Sequence, residues 1–251
     1  MTKYAAVILG AGKGTRMNEG RASEIPKVMF ELAGQPVIKH SVDLIKKAGI
    51  SKVVVVVGYK KELIENYLGS QVEYAEQVEQ LGTGHATMMA EKSLAGSAEN
   101  LIIFYGDNCL YKPESVRRII DLYERENPTI AMLTVSFEDP MFWAFGRILR
   151  DKEGKVIGIR EQKDCSEEEL EIKESNPGFY IVDSNWLWEN LKNLKTQNTQ
   201  GEYYLTDIIE MAKEQGKKIV ATPVSEEKEA LGINTPEQLK EAEEVIKKRN
   251  A

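Results

Sequence analysis

The chain has 251 residues, 42% of them hydrophobic, which is enough to bury a substantial core as one large or two modest domains. Its longest aliphatic run, residues 53–57, is far shorter than the about 20 apolar residues that cross a bilayer, and no targeting segment is visible. The net charge of −7 argues against a protein that holds nucleic acid on a broad basic face. The cysteines, Cys109 and Cys165, lack metal-site spacing. We therefore expect a cytoplasmic protein with reduced thiols and no membrane or nucleic-acid partner.

Strand-like and helix-like segments alternate along the first half of the chain. Continuous apolar runs at residues 4–9, 53–57 and 101–105 predict buried strands, because a sheet that is covered on both faces needs apolar side chains on each face. Helical spacing predicts helices at about 37–48, at 60–68 with Leu63 and Tyr67 on the apolar face, and from residue 113. This alternation predicts parallel crossovers and an α/β fold.

The pattern changes after a further predicted strand at residues 130–137. Two strand-like segments, residues 148–150 and 156–160, flank a turn and predict a β-hairpin outside the crossover series. Strands are predicted at 179–182 and 219–222, and helices at about 184–193 and 207–215. The sequence Thr-Pro-Glu-Gln at 235–238 predicts the cap of a last helix, which would hold Asn234 in a defined position.

The first strand leads directly into a glycine-rich loop, which contains Gly10, Gly12 and Gly14. Glycine permits positive φ and leaves backbone N–H groups accessible, so such a loop can hold phosphate oxygens. Lys13, Arg16 and Lys27 supply positive charge nearby. The spacing is neither the Gly-x-Gly-x-x-Gly of dinucleotide folds nor a P-loop. A simple tight turn is the alternative, but glycines and cations together favour a triphosphate site.

Two more segments would lie at the same edge of a parallel sheet. Asp107 follows the predicted strand at 101–105, and open α/β sheets bind ligands beyond the carboxyl ends of their strands. The loop with Gly82 and Gly84 precedes a predicted helix, whose first N–H groups are available to a base, a ribose or a phosphate. Each segment is also explained as an ordinary turn or helix cap.

Several blocks, matched in sequence order, carry a family resemblance. They are the glycine loop, Gln80-Leu81-Gly82-Thr83-Gly84-His85-Ala86, Tyr105-Gly106-Asp107, Gly201-Glu202-Tyr203-Tyr204-Leu205-Thr206-Asp207 and Gly232-Ile233-Asn234. From about residue 4 to residue 239 the chain resembles the sugar-phosphate nucleotidyltransferases, and among them the N-acetylglucosamine-1-phosphate uridylyltransferases. The resemblance implies a Rossmann-like three-layer α/β fold with a mostly parallel central sheet and a β-hairpin sugar-binding lobe. It implies one domain, in which residues 1–137 bind the nucleotide and residues 138–251 the sugar phosphate.

The resemblance also implies a reaction, in which a sugar 1-phosphate oxygen attacks the α-phosphorus of a nucleoside triphosphate and expels pyrophosphate. Positioning and charge neutralisation would then supply the catalysis, without a protein nucleophile. Mg²⁺ is the implied cofactor, with Asp107 and Asn234 as its protein ligands. The residues that match catalytic positions are Lys13, Arg16 and Lys27, the first two beside the leaving pyrophosphate and the third at the reacting phosphates.

Other residues match the family's substrate contacts. The nucleotide contacts are Leu9, Ala11, Gly12, Gly14, Gln77, Gln80, Gly82, Thr83 and Asp107. The sugar contacts are Tyr105, Gly146, Glu161, Asn176 and Thr206. Gln77 matches a glutamine that contacts the pyrimidine edge. Glu161 can accept two hydroxyl hydrogen bonds, and a surface glutamate paired with Lys163 is the alternative. His40 and His85 are expected to be structural.

The sequence leaves both substrates open. UTP with N-acetylglucosamine 1-phosphate is the first hypothesis; glucose 1-phosphate, and CTP or dTTP as the nucleotide, are alternatives with the same chemistry. Two departures bear on the sugar: Asn108-Cys109-Leu110 replaces the family's common Val-Pro-Leu, and Pro177 and the aromatic run at 142–145 are unusual beside a sugar.

Two function classes compete with a transferase. A non-catalytic nucleotide-sugar sensor is a remote alternative, because it has little need for a leaving-group clamp and two metal ligands. A dinucleotide-dependent oxidoreductase is disfavoured by the glycine spacing. The uridylyltransferases usually continue into an acetyltransferase domain of hexapeptide repeats, so we expect one activity here unless the chain is a fragment. The sequence predicts neither the oligomeric state nor the pathway.

Overall fold

The computed structural model describes residues 1–14, 17 and 24–250, without the side chain of residue 250. The strands are β1 (Thr2–Leu9), β2 (Glu31–Leu32), β3 (Gln35–Pro36), β4 (Val53–Val57), β5 (Glu73–Glu76), β6 (Ala98–Tyr105), β7 (Ile130–Ser136), β8 (Gly146–Arg150), β9 (Val156–Arg160), β10 (Glu174–Asn176), β11 (Phe179–Asp183) and β12 (Ile219–Pro223). The α-helices are α1 (Val37–Lys47), α2 (Lys61–Leu68), α3 (Thr83–Met89), α4 (Glu91–Leu94), α5 (Pro113–Glu126), α6 (Glu167–Leu170), α7 (Ser184–Leu191), α8 (Asp207–Glu214) and α9 (Pro236–Asn250).

The central sheet is mostly parallel, as predicted. β1 pairs in parallel with β4 and β6, and β4 pairs in parallel with β5. β11 follows β6 and is antiparallel both to it and to β7, which itself pairs in parallel with β12. The carboxyl ends of β1, β4, β6 and β7 therefore point toward one edge of the sheet, which is where ligands bind in open α/β folds.

An antiparallel extension grows from the carboxyl-terminal end of β7. Val135 and Ser136, the last residues of β7, pair with β10, which pairs with β8, and β8 pairs with β9. β8 and β9 form the predicted β-hairpin. β10 was not predicted, because its sequence Glu-Ser-Asn has no apolar alternation and only its position between β7 and β8 makes it a strand. The extension brings the hairpin to the ligand-binding edge of the central sheet.

Helices cover both faces of the central sheet and give it the predicted three layers. Ala5 and Val7 of β1 belong to the apolar cluster that includes residues of α7 and α8, whereas Ala6 and Ile8 belong to the cluster with residues of α1 and α5. Trp186 and Trp188 of α7 are buried in the first cluster. Within the described ranges, no helix combines the length and the apolar character that a membrane span requires.

The predicted apolar face of α2 was wrong. Ile64 and Leu68 are buried, at 0% and 1% exposure, whereas Tyr67 is 43% exposed and Leu63 is only partly buried. Both pairs have the same i, i+4 spacing, so the sequence pattern alone does not distinguish them. Ile64 and Leu68 belong to the same apolar cluster as Val53, Val55 and Val57 of β4, so the position of α2 over that face of the sheet decides which pair is buried.

Candidate active site

A cavity of about 320 Å³ lies at the ligand-binding edge, between the loops after the parallel strands and the start of the hairpin. Most of the residues that the sequence analysis predicted as site residues line this cavity. These are Leu9, Ala11, Gly12, Lys27, Gln77, Gln80, Gly82, Thr83, Tyr105, Asp107, Gly146, Glu161, Asn176 and Asn234. Residues far apart in the chain thus share one site, whereas what each of them does for a ligand stays a prediction.

The remaining predicted residues lie beside the cavity or outside the described part of the chain. Lys13 is exposed and Thr206 is buried behind Glu161, and neither lines the cavity. Arg16 lies outside the described residues. Of the three loop glycines, Gly14 alone has a positive φ, of +68°, and a Cβ there would lie 2.8 Å from Cβ of Lys27. Gly14 therefore permits the close approach of the loop to Lys27.

The ammonium group of Lys27 joins the two predicted metal ligands. Its Nζ lies 2.5 Å from Oδ2 of Asp107 and 2.9 Å from Oδ1 of Asn234, which are 80 and 207 residues away in sequence. Side-chain exposure is 18% for Lys27 and 10% for Asp107, so this ion pair is largely withdrawn from solvent. A carboxylate oxygen and an amide oxygen thus converge on one positive charge.

These oxygens fit Mg²⁺, a hard cation that binds oxygen ligands and often keeps few protein ligands beside phosphates and water. Among the described residues, no cluster of three or more His, Cys, Asp or Glu side chains forms a metal site. Asp107 and Asn234 would therefore supply the protein part of a metal site whose other ligands are substrate phosphates and water. The donor set is consistent with a metal that works on a phosphorylated substrate.

Hydrogen bonds fix the two loops that carry these oxygens. The backbone N–H of Ile233 donates to the carbonyl of Asp107 at 3.2 Å, and so joins the two loops directly. Thr235 caps α9 by accepting from the N–H of Gln238 at 3.3 Å. The Gln238 side chain accepts from the N–H of Asn234 at 2.8 Å. The predicted cap is therefore present, but its glutamine reaches the N–H of the residue before Thr235 and holds Asn234.

Glu161 directly follows β9 of the hairpin and lines the same cavity. Its Oε1 accepts a hydrogen bond from Oγ1 of Thr206 at 3.0 Å. Burial raises the pKa of Glu161, and the Thr206 hydroxyl offsets part of this rise. Burial, reinforced by Glu210, also raises the pKa of Asp207 to about 6. The described contacts thus favour Glu161 as a cavity residue over a surface glutamate paired with Lys163.

Asn108, which the sequence flagged only as a departure from the family pattern, connects the loop after β6 to the residue that follows β10. It is 1% exposed and lines the cavity, and its amide donates to the carbonyl of Pro177. The hydroxyl of Tyr111 donates to the same carbonyl at 2.9 Å. The neighbouring Asn176 accepts from the N–H of Gly178 at 3.1 Å. Asn108 therefore holds Pro177, and with it the end of β10 that carries Asn176, against the loop of Asp107.

A buried arginine, Arg147, holds the aromatic run at 142–145 in place. Arg147 is 0% exposed, and its guanidinium donates to the carbonyls of Phe145, Pro140 and Leu170. Phe145 and its neighbour Ala144 line the cavity. Among the lining residues, the sequence did not identify Ala144, Phe145, Asn108 and Glu202 as site residues. The signal in the sequence that could have pointed to Ala144 and Phe145 was the aromatic run, which was noted as unusual beside a sugar.

The sequence pattern of the family described as Nucleotidyl transferase matches residues 5–230. The chain belongs to this family. Curated relatives include Bifunctional protein GlmU of Enterococcus faecalis, 41% identical over 99% of this chain and 53% of that protein. The Bifunctional protein GlmU of Caldanaerobacter subterraneus subsp. tengcongensis is 42% identical over the same shares. The chain thus spans about half the length of the curated relatives it matches.

Solved structures share the fold of this nucleotidyl transferase family member at lower identity. UDP-glucose pyrophosphorylase complexed with UDP-glucose has a TM-score of 0.78 and 20% identity, over 99% of this chain and 100% of that chain. A putative glucose-1-phosphate thymidylyltransferase from Bacillus anthracis has a TM-score of 0.79 and 21% identity, over 96% and 94%. At these identities the likeness establishes the fold.

Proposed function

We propose that this nucleotidyl transferase family member makes a nucleotide sugar and pyrophosphate from UTP and N-acetylglucosamine 1-phosphate, with Mg²⁺ as its cofactor. The observation that carries the proposal is the Lys27 ammonium between Asp107 and Asn234, in a cavity bounded by the glycine loop and by Glu161. A cation site next to a phosphate-binding loop suits phosphoryl chemistry, and a desolvated carboxylate suits a polyhydroxylated substrate.

The proposed reaction needs no covalent intermediate. An oxygen of the sugar 1-phosphate forms a bond to the α-phosphorus while the bond from that phosphorus to the α–β bridging oxygen breaks, and the electron pair leaves with pyrophosphate. The backbone at Ala11 and Gly12 would contact the nucleotide. Lys27 would neutralise charge at the reacting phosphates, and Glu161 would accept hydrogen bonds from sugar hydroxyls. A Mg²⁺ ion held by Asp107 and Asn234 would neutralise phosphate charge as a Lewis acid.

A pyrophosphate-release assay tests the proposal. UTP, CTP and dTTP are each combined with N-acetylglucosamine 1-phosphate and glucose 1-phosphate, with and without a chelator. We expect the largest kcat/KM for UTP with N-acetylglucosamine 1-phosphate and loss of turnover when the divalent cation is removed. A preference for glucose 1-phosphate would change the substrate and retain the chemistry. If no pair turns over, the transferase proposal fails.

Asp107→Asn separates an enzyme from a sensor. The amide keeps the size of the side chain and can still accept from Lys27, but it removes the negative charge. We expect kcat to fall at least about 100-fold, as for other groups that stabilise transition-state charge, with a far smaller change in nucleotide affinity by calorimetry. Glu138→Gln, at a fully exposed side chain, is the control. An unchanged rate would remove Asp107 from the mechanism.

A further inference from the structure

The side chain of Gln77 is held by two hydrogen bonds at the nucleotide end of the cavity. Gln77 is 3% exposed and lines the cavity. Its Nε2 lies 3.0 Å from the carbonyl oxygen of Gly82 and 3.1 Å from Nδ1 of His85. His85 itself does not line the cavity, so it contacts Gln77 from behind.

These two contacts decide which way the amide of Gln77 faces. The carbonyl of Gly82 can only accept, so the atom that faces it must be the NH₂ group of Gln77. The same NH₂ group then faces Nδ1 of His85, which must accept, so the imidazole carries its proton on Nε2. Both amide hydrogens of Gln77 are therefore donated to groups of the protein, and the amide oxygen remains as the acceptor for a ligand.

The Gly82 carbonyl is itself fixed by its neighbours. Gly82 has a φ of +109°, and a Cβ there would lie 2.6 Å from the carbonyl oxygen of Tyr203. The N–H of Tyr203 donates to Leu81 at 2.8 Å, and the N–H of Gly84 donates to Tyr203 at 2.8 Å. Two hydrogen bonds thus flank Gly82, and the first acceptor of the Gln77 amide does not move freely.

We propose that His85 is a positioning residue for nucleotide selection, because it holds Gln77 with its acceptor oxygen toward the base. The proposal rests on the function proposed above and narrows its nucleotide. Uracil and thymine present an N3–H donor to an acceptor, whereas cytosine presents a lone pair at N3, and two acceptors repel each other. The geometry therefore favours UTP and dTTP over CTP, and the earlier assignment of His85 as merely structural is replaced.

Two substitutions at His85 separate the hydrogen bond from the shape of the ring. His85→Phe keeps an aromatic ring beside Tyr203, whose centroid lies 6.4 Å from that of His85, but offers no acceptor. One amide hydrogen of Gln77 then lacks a buried partner and can turn toward the base. His85→Asn retains a short side chain with an acceptor oxygen. We expect the ratio of kcat/KM for UTP to that for CTP to fall about tenfold in H85F, roughly the value of one hydrogen bond, and to be retained in H85N.

A double variant tests whether His85 acts through Gln77. In a Gln77→Ala background, H85F is expected to leave the UTP-to-CTP ratio unchanged, since the group it positions is absent. An unchanged ratio in H85F alone, an equal fall in H85F and H85N, or a further fall from H85F in the Q77A background would each overturn the proposal.

Two measurements test the role of His85 without relying on the proposed transferase activity or on the folding of the variants. Nitrogen NMR of the wild-type protein should find the neutral His85 protonated on Nε2, and protonation on Nδ1 would overturn the proposal. Calorimetry with UMP and CMP measures the nucleotide preference without turnover, and a preference for CMP would also overturn it. If the wild-type protein and H85N bind UMP more tightly than CMP, H85F loses this preference, and no substrate pair releases pyrophosphate, the proposed function fails while the role of His85 stands.

Discussion

Glu161 is a single side chain whose burial opposes stability at neutral pH, in the place where we propose that it binds the sugar. Burial raises its pKa, so the folded protein favours the protonated carboxyl more than the unfolded chain does. The contribution of this group to stability is therefore fully present below its unfolded pKa, near about 4.3, and is lost as the pH rises through the higher folded pKa. At neutral pH the ionised carboxylate therefore lowers the stability of the folded protein, and hydrogen bonds from a hydroxyl-rich ligand would offset this loss.

We therefore predict that Glu161→Gln stabilises the free protein and weakens sugar binding. The free energy of unfolding should rise by about 1 kcal/mol at pH 7.5, with little difference from wild type near pH 4, where the glutamate is also uncharged. The KM for the sugar 1-phosphate should rise about tenfold, since a neutral amide makes weaker hydrogen bonds than a carboxylate. Thermal melts at both pH values measure the first effect, and an equal shift at both would contradict the explanation. The exposed Glu171→Gln is the control.

At the scale of single elements, the first turn of α9 links helix capping to the candidate metal site. Thr235 and Gln238 each make one capping hydrogen bond, and of these two it is the Gln238 side chain that accepts from the N–H of Asn234. Removal of either bond costs about 1 kcal/mol of stability.

We predict that Gln238→Ala also weakens Mn²⁺ binding about tenfold, as loss of outer-shell partners does, whereas Thr235→Ala changes Mn²⁺ binding little. Calorimetric titration of both variants with Mn²⁺ distinguishes them, and equal affinities would rule out the link.

The hairpin offers a matched pair of arginines. Arg147 is fully buried and donates to the carbonyls of Phe145 and Pro140, whereas Arg150 on the same strand is partly exposed and pairs with Glu174. Arg147→Met leaves buried carbonyls without donors, so we predict a loss of about 3 kcal/mol and a higher KM for the sugar 1-phosphate. Arg150→Met should cost less than about 1 kcal/mol, because it removes a surface ion pair. Urea unfolding of both variants measures the difference, and similar losses would contradict it.

The sequence predicted best where a local pattern determines the structure. The five valines of β4 and the alternation of strands and helices were sufficient for the sheet, and the hairpin followed from its turn. β10 and the buried face of α2 were missed, because each depends on a partner far away in the chain. The same holds at the site: Asn108 contacts Pro177 across 69 residues, and the role proposed for His85 depends on Gly82 and His85 both accepting from the one amide group of Gln77.

For the molecule as a whole, the cavity lies across two parts of one sheet. The residues before 138 supply the glycine loop and Gln77, and the residues after it supply Glu161 and Asn234. The segment 201–206 contacts both parts: the N–H of Leu205 donates to Oγ1 of Thr83 at 3.0 Å, and Thr206 donates to Glu161. The predicted nucleotide-binding part, residues 1–137, and the predicted sugar-phosphate-binding part, residues 138–251, are therefore in contact through segment 201–206.

This arrangement predicts a pattern of hydrogen exchange. UTP at 100 times its Kd can stabilise the bound state by about 2.7 kcal/mol, so amides around residues 9–12 and 77–84 should exchange up to roughly 100-fold more slowly. N-acetylglucosamine 1-phosphate should slow exchange at 146–161, the nucleotide-sugar product should slow both regions, and segment 201–206 should respond to all three. The middle of α5, which has no residue in the cavity, is the internal control. If either substrate alone protected both regions equally, residues 1–137 and 138–251 would bind as one unit and the predicted division would be wrong.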